Sequence, residues 1–324
     1  MSTQSYIHTV SKTHHLIRLD QYLKALHPND SRTHIQSAIK SGHVCVDGQM
    51  IASPKFKVLE GHIIEFFEPS KLDTTTWQPQ PMPLDILFED DELCVINKTA
   101  HCVMHPGAGT PDHTLANAML AYHPPAKDLD RAGLIHRLDQ NTTGCCIIAK
   151  TQLAQQILTH DLSIRIIERT YLALVHGSIE LPGHVNAAIG RHRTRRTLMS
   201  VSPSGRAACT HYRPIQRYPE HTLLELKLET GRTHQIRVHM KHMNHSIVGD
   251  RAYGQQRAPS KIYPSSVREA LMNHPYQALH ATRISFKHPI HQKTIMVETP
   301  PHAPFSTLLE ILEPFITSND EYDQ

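Results

Sequence analysis

Near the N-terminus apolar side chains recur at intervals of three and four: Leu19, Tyr22, Leu23 and Leu26, then Ile35, Ala38 and Ile39. That spacing lines one face of a helix, so two short helices are predicted. Asn29, Asp30 and Ser31 stand between them as a capping cluster for the second, and Gly42 ends it. Val44–Val46 and Met50–Ile51 then flank Asp47-Gly48, a hairpin-type turn, and Ile63 to Phe67 add another strand. From Lys71 to Pro83 the pattern dissolves, and prolines at 79, 81 and 83 exclude helix and sheet interior alike. This reading divides the chain into a module over 12–68, a linker over 69–83, a body over 84–312 and an acidic tail over 313–324.

The body opens with two predicted strands, Ile86 to Phe88 and Leu93 to Ile96, followed by a loop at His105-Pro106-Gly107-Ala108-Gly109. Thr114 is positioned to cap a helix running through Leu120. Apolar residues then bracket a polar stretch, His136 to Thr143, which sets Asp139 in a turn between two strands. A helix after Thr151 and strands at Tyr171–Val175, Leu223–Leu228 and Ile284–Phe286 complete the pattern. Strands interspersed with few long helices predict an α+β fold with a mixed or antiparallel sheet, beside a small N-terminal α+β module.

Composition adds little until charge is resolved by position. With 39% hydrophobic and 19% charged residues the chain reads as folded, and no apolar run approaches the roughly 18 to 20 residues of a spanning helix. Six cysteines without a Cys-x-x-Cys pair suit neither a disulfide framework nor a zinc finger, so a reducing cytoplasm is expected. The 27 histidines are spread along the whole chain and read as composition. The net charge of +3, however, conceals a segment from Arg191 to Arg257 with 13 basic and four acidic residues, or +9. A polyanion partner is implied.

Two polar clusters interrupt the apolar strands: His136-Arg137-Leu138-Asp139-Gln140-Asn141-Thr142-Thr143-Gly144, and Gly231-Arg232-Thr233-His234-Gln235-Ile236-Arg237-Val238-His239. Charged groups packed between apolar segments are costly unless a site is being built. Arg232 could grip a carboxylate through both ends of its guanidinium. At these clusters the sequence resembles the RluA family of pseudouridine synthases, whose nucleophile motif is met from His136 to Gly144. Later family segments follow in order: Tyr171–Val175 with Gly177, Gly231 to His239, Val248-Gly249-Asp250 with Tyr253-Gly254, and Ala278-Leu279-His280-Ala281. The resemblance spans about Asp85 to Pro301, departing at Thr99, Thr143, Arg169 and Ser246. The first module resembles the ribosomal-protein S-four-like RNA-binding domain, departing at Asp47 and His62.

The resemblance implies an enzyme that isomerises uridine to pseudouridine in RNA, most simply in large-subunit ribosomal RNA. Asp139 would be the nucleophile, Arg232 its pairing cation and Tyr171 the proton-transfer group lying against the base. Arg137 and His136 would stand where the target nucleotide leaves its stack, while Arg32, Lys40, Arg191 and Arg196 would contact RNA. An isomerisation without redox change implies no metal or organic cofactor, and neither a membrane nor an obligate protein partner is expected. The competing reading is a catalytically silent RNA-binding or ribosome-assembly protein. A metal-dependent hydrolase on His234, His239, His242 and His245 is disfavoured, because intervals of five and three do not make the helical ligand pair of i and i+4.

Overall fold

Two units, Met1–Thr76 and Trp77–Gln324, divide the chain in a computed structural model that describes residues 5–27, 30, 32–67, 77–107, 109–254 and 258–317. Asn29 and Ser31 of the expected cap, linker residues 69–76, Ala108, Arg257 and tail residues 318–324 lie outside the described residues.

In the first unit β1 (Ser5–Thr9) precedes α1 (Leu19–Leu26) and α2 (Arg32–Lys40), and β2 (Val44–Val46), β3 (Gln49–Met50) and β4 (Ile63–Phe67) follow. The strands form an antiparallel sheet in the order β1-β4-β2-β3. The apolar positions read from the sequence, Leu19, Leu23, Ile35 and Ile39, are fully buried against Val44, Ile64 and Phe66. One buried charge joins the helices. Asp20 on α1 accepts both ends of the Arg18 guanidinium at 2.9 Å, Arg32 Nη2 of α2 at 3.0 Å and Gln36 Nε2. Burial acts to raise this carboxyl, but those donors outweigh it and hold it at about 2. Arg32, expected on RNA, is therefore bonded within the unit; Lys40 stands exposed at the end of α2.

The second unit runs β5 (Ile86–Glu89), β6 (Leu93–Lys98), α3 (Leu115–Tyr122), β7 (Thr143–Ala149), α4 (Gln152–Ser163), β8 (Glu168–His176), β9 (Gly183–Asn186), β10 (Ile189–Arg191) and β11 (Met199–Val201). It continues with β12 (Cys209–Tyr218), β13 (His221–Leu228), α5 (Gln235–His242), α6 (Ser265–Met272), β14 (Leu279–Lys287), β15 (Thr294–Glu298) and α7 (Phe305–Leu312). Among the described residues the main sheet is ordered β5-β6-β7-β14-β8-β13-β12-β9, with β15 also on β14. Among the described strands only β7 and β14 pair in parallel, so the sheet is mixed, as the pattern predicted. The start of β14 pairs with the start of β7, and its later residues, Arg283 to Lys287, pair with β15.

Three boundaries differ from the sequence reading. The segment before Asp139 is not a strand: after a 3-10 helix over Asp130–Gly133 and a single bridge from Leu134 to Ile148 its backbone is irregular. The residues from Trp77 onward, read as linker, belong to the larger unit, where Trp77 packs on the core and the Gln80 amide donates to Asn117 O at 3.0 Å. Glu313–Phe315, assigned to the tail, form a helical turn whose Phe315 ring meets Tyr263 edge-on. Proline alternation stops a chain from pairing but does not stop it from packing.

Candidate active site

The turn carrying Asp139 is tied down on several sides. Its own backbone closes through the Thr142 amide onto Asp139 O at 3.0 Å. Lys98, buried at the end of β6, donates to Thr99 O, Cys102 O and Gln140 O at 2.8–2.9 Å. Burial lowers this ammonium to about 8. Thr143 Oγ1 meets His280 Nδ1 of β14 at 2.7 Å. Gly144 adopts φ +109°, and a Cβ there would lie 2.2 Å from Ala281 O, so the turn into β7 requires glycine.

Asp139 faces a cavity of about 960 Å3. Its Oδ2 accepts a hydrogen bond from Arg237 Nη1 at 3.0 Å, while Oδ1 lies 3.9 Å from His234 Nε2, beyond hydrogen-bonding range. Arg237 is buried on α5 and shared: its Nε and Nη2 donate to Asp250 Oδ2 and Oδ1 at 2.7 and 2.9 Å. Burial acts to lower this guanidinium, and the two carboxylates outweigh it and raise it. The Tyr253 ring lies 4.8 Å from Arg237 Cζ, a cation–π contact. Asp250 Oδ1 is itself anchored by the amides of Ala252 and Tyr253 at 3.0 and 3.1 Å.

The cation on Asp139 is thus Arg237 and not Arg232. Arg232 lies in the turn ahead of α5, where its Nε donates to Ala207 O at 3.0 Å. Its backbone is fixed by Gln235, whose Oε1 accepts from the Arg232 amide and from Thr230 Oγ1 and whose Nε2 donates to Cys209 O and Thr210 Oγ1. That anchoring turns Arg232 to the cavity wall and Arg237, five residues further and on α5, to the carboxylate.

Tyr171 is buried in β8, lines the same cavity and is pushed up to about 12 by burial. It is a neutral phenol at pH 7. His234 occupies the left-handed region (φ 57°) at the start of α5 and is lowered by burial. Its Nδ1 meets Tyr253 Oη at 2.6 Å, and that oxygen accepts the Met199 amide at 2.8 Å.

The expected RNA contacts separate into two groups. Arg137 is exposed at the cavity beside Asp139. Arg191 and Arg196 lie exposed on the hairpin of β10 and β11, where Arg191 Nη1 donates to Arg196 O. His136, by contrast, accepts the Ile147 amide on Nε2 at 3.1 Å and is pushed down to about 3, chiefly by burial. Its ring braces β7. The histidines of the hydrolase reading do not converge: His239 bonds Thr210 and Ala187, and His245 bonds His176 O.

Residues 92–242 match a family model described as RNA pseudouridylate synthase, and residues 17–64 match the S4 domain. The chain is 47% identical over 273 residues to the ribosomal large subunit pseudouridine synthase D of Yersinia pestis, covering 84% of both chains. To the protein of that name from Escherichia coli O157:H7 it is 43% identical over 306 residues, covering 94% of this chain and 92% of the relative. Two solved human structures, RNA Pseudouridylate Synthase Domain Containing 4 and Domain Containing 1, share the fold with TM-scores of 0.55 and 0.52 at 24% identity. They cover 71% and 72% of this chain and 93% and 97% of their own.

Proposed function

The chain belongs to the RNA pseudouridylate synthase family, and from that premise we propose that it isomerises uridine in large-subunit ribosomal RNA with Asp139 as nucleophile. The observation that carries the assignment is the division of labour at one carboxylate. Arg237 holds Oδ2 at 3.0 Å, and Oδ1 is left facing the cavity without a hydrogen bond from His234. An oriented carboxylate with one oxygen unengaged can attack carbon, form a covalent intermediate and leave again.

In the net reaction the bond from uracil N1 to ribose C1′ breaks, the bond from C5 to C1′ forms, and the proton on C5 is exchanged for one on N1. No electrons enter or leave, so the chemistry needs no redox partner. The base must leave its stack to be reached, and Arg137 stands exposed beside Asp139 to fill or screen the gap. Tyr171 supplies a flat apolar wall for the uracil. As a phenol at about 12 it already carries its proton near neutrality and is no free base for C5, so it acts by passing one proton as it receives another. Arg232, bonded to Ala207 O, is assigned to the RNA side of the cavity.

The basic hairpin carrying Arg191 and Arg196, together with Lys40 of the small unit, supplies phosphate contacts. The enzyme works in the cytoplasm on its RNA without an obligate protein partner. A silent RNA-binding protein would have no use for a buried Arg237 divided between two carboxylates, which binding alone does not require. The test is pseudouridine formation by purified full-length protein on large-subunit ribosomal RNA without added cofactor. Asp139→Asn should abolish it and leave RNA affinity largely intact. Turnover near the wild-type rate in that variant would remove Asp139 from its role.

A further inference from the structure

On the face of the sheet opposite Thr210, three donor groups of different chemistry meet. Cys209 and His211 are two apart on β12 and so project to the same side. Glu229 follows β13 directly, its amide bonded to Cys209 O, and His184 on β9 is paired across the strands with His211. Cys209 Sγ lies 3.7 Å from His211 Nε2, and His211 Nε2 lies 2.6 Å from Glu229 Oε1; one donor atom from each residue falls within 4.8 Å of the others. The His184 and His211 ring centroids are 5.7 Å apart.

We propose that Cys209, His211 and Glu229 form a tetrahedral site for a borderline-soft divalent cation, zinc above all, with water in the fourth position. Zinc bonds of about 2.3 Å to sulfur and 2.0–2.1 Å to nitrogen or oxygen put tetrahedral S–N and N–O neighbours about 3.5 and 3.3 Å apart. The sulfur–nitrogen pair, at 3.7 Å, is close to that separation, and the histidine–glutamate hydrogen bond opens by a fraction of an ångström when the proton between them gives way to the ion. A thiolate with imidazole selects zinc over magnesium or calcium, which take oxygen donors. On binding, the Cys209 thiol and His211 Nε2 release any proton they carry to solvent, leaving thiolate, carboxylate and one neutral imidazole around the ion.

The site is not part of the isomerisation chemistry, but it borders the cavity. Glu229 Oε2 also holds Arg165 Nη1 at 2.9 Å, and both residues line the cavity wall. The Cys209 amide is bonded to Thr230 Oγ1, at the start of the turn that leads to Arg232. An ion here engages the Glu229 carboxylate and loosens its hold on Arg165, making that rim more positive toward RNA.

Cobalt(II) serves as the spectroscopic probe for zinc. Full-length protein freed of metal and titrated with cobalt should develop a thiolate-to-cobalt charge-transfer band, with the intense visible bands of tetrahedral coordination, saturating at one equivalent and bleached by zinc. Cys209→Ser, nearly isosteric, should lose the charge-transfer band. Cys45→Ser and Cys102→Ser should retain it, which separates this site from the other two thiols that are not buried. Glu229→Gln should weaken cobalt binding by at least the roughly tenfold that loss of an outer-sphere partner already costs. Cobalt uptake without a thiolate band, as scattered histidines alone would give, overturns the proposal. So does a band that survives in Cys209→Ser with native circular dichroism.

Discussion

Asp250→Asn isolates what holds the nucleophile's partner in place, because Asp250 is buried and its carboxylate engages Arg237 rather than the cavity. Its Oδ1 accepts from Arg237 Nη2 and from the amides of Ala252 and Tyr253, so in asparagine the oxygen must stay there. The amide nitrogen then faces Arg237 Nε, donor against donor, where a 2.7 Å charge-assisted bond had been. Losing one such bond costs about 1.5–3 kcal/mol, and the guanidinium relaxes away from Asp139. If that cost falls on the orientation of Asp139 in the transition state, turnover drops by about 10- to 150-fold.

The assay is single-turnover release of tritium from RNA labelled at uridine C5, since C5 loses its hydrogen when it bonds to ribose. The expected result is a lower rate at saturating enzyme with RNA affinity within a few-fold of wild type. In an Arg237→Lys background the same substitution should add little, because the fork it supports is already gone. A folded Asp250→Asn enzyme with the wild-type single-turnover rate would refute the reasoning. So would a loss confined to affinity, which would make the pair a surface-shaping element.

Tyr171→Phe should lose turnover while keeping affinity, since the ring that packs remains and the hydroxyl that relays protons is gone; a rate within a few-fold of wild type would restrict Tyr171 to packing. Arg232→Ala should weaken RNA binding more than it slows the bound complex, the reverse of Arg237→Ala, read by comparing affinity with single-turnover rate. Lys40→Glu should weaken RNA binding without loss of thermal stability, whereas Arg32→Glu should lower stability by setting a second carboxylate against Asp20. Buried His221, His274 and His280 are pushed down to about 4, and His136 to about 3, by burial above all. Each is neutral when folded and takes a proton near 6.5 when unfolded, so stability should be lost as pH falls from about 6.5 toward 4. The slope is at most about 1.4 kcal/mol per pH unit for each histidine. The melting temperature between pH 7.5 and 5 reads it, and His280→Gln should flatten the slope; a flat wild-type profile would count against buried neutral histidines.

Periodicity made legible what is local. The helices at Leu19 and Ile35, the hairpin at Asp47-Gly48 and the strands around Leu93 and Tyr171 all stand where the spacing put them. The site was legible as two polar clusters, and the structure brings both to one cavity. Which arginine meets Asp139 was not legible. Arg232 and Arg237 offer the same guanidinium five residues apart, and the choice between them depends on where α5 begins. Gln235 decides that by fastening the preceding turn to β12 through bonds to Cys209 and Thr210, 25 and more residues earlier in the chain.

Asp250 carried a signal that charge counting hid. Of the four acidic residues between Arg191 and Arg257, Glu220, Glu225 and Glu229 keep contact with solvent and only Asp250 is buried. A buried carboxylate in so basic a segment requires a buried cation, and a cation divided between two carboxylates can orient one only because the other holds it. Asp250 lies 13 residues beyond Arg237, and Asp139 lies 98 residues before it. The order of the motifs along the chain therefore names the participants, but their pairing exists only once β7 and α5 face the same cavity.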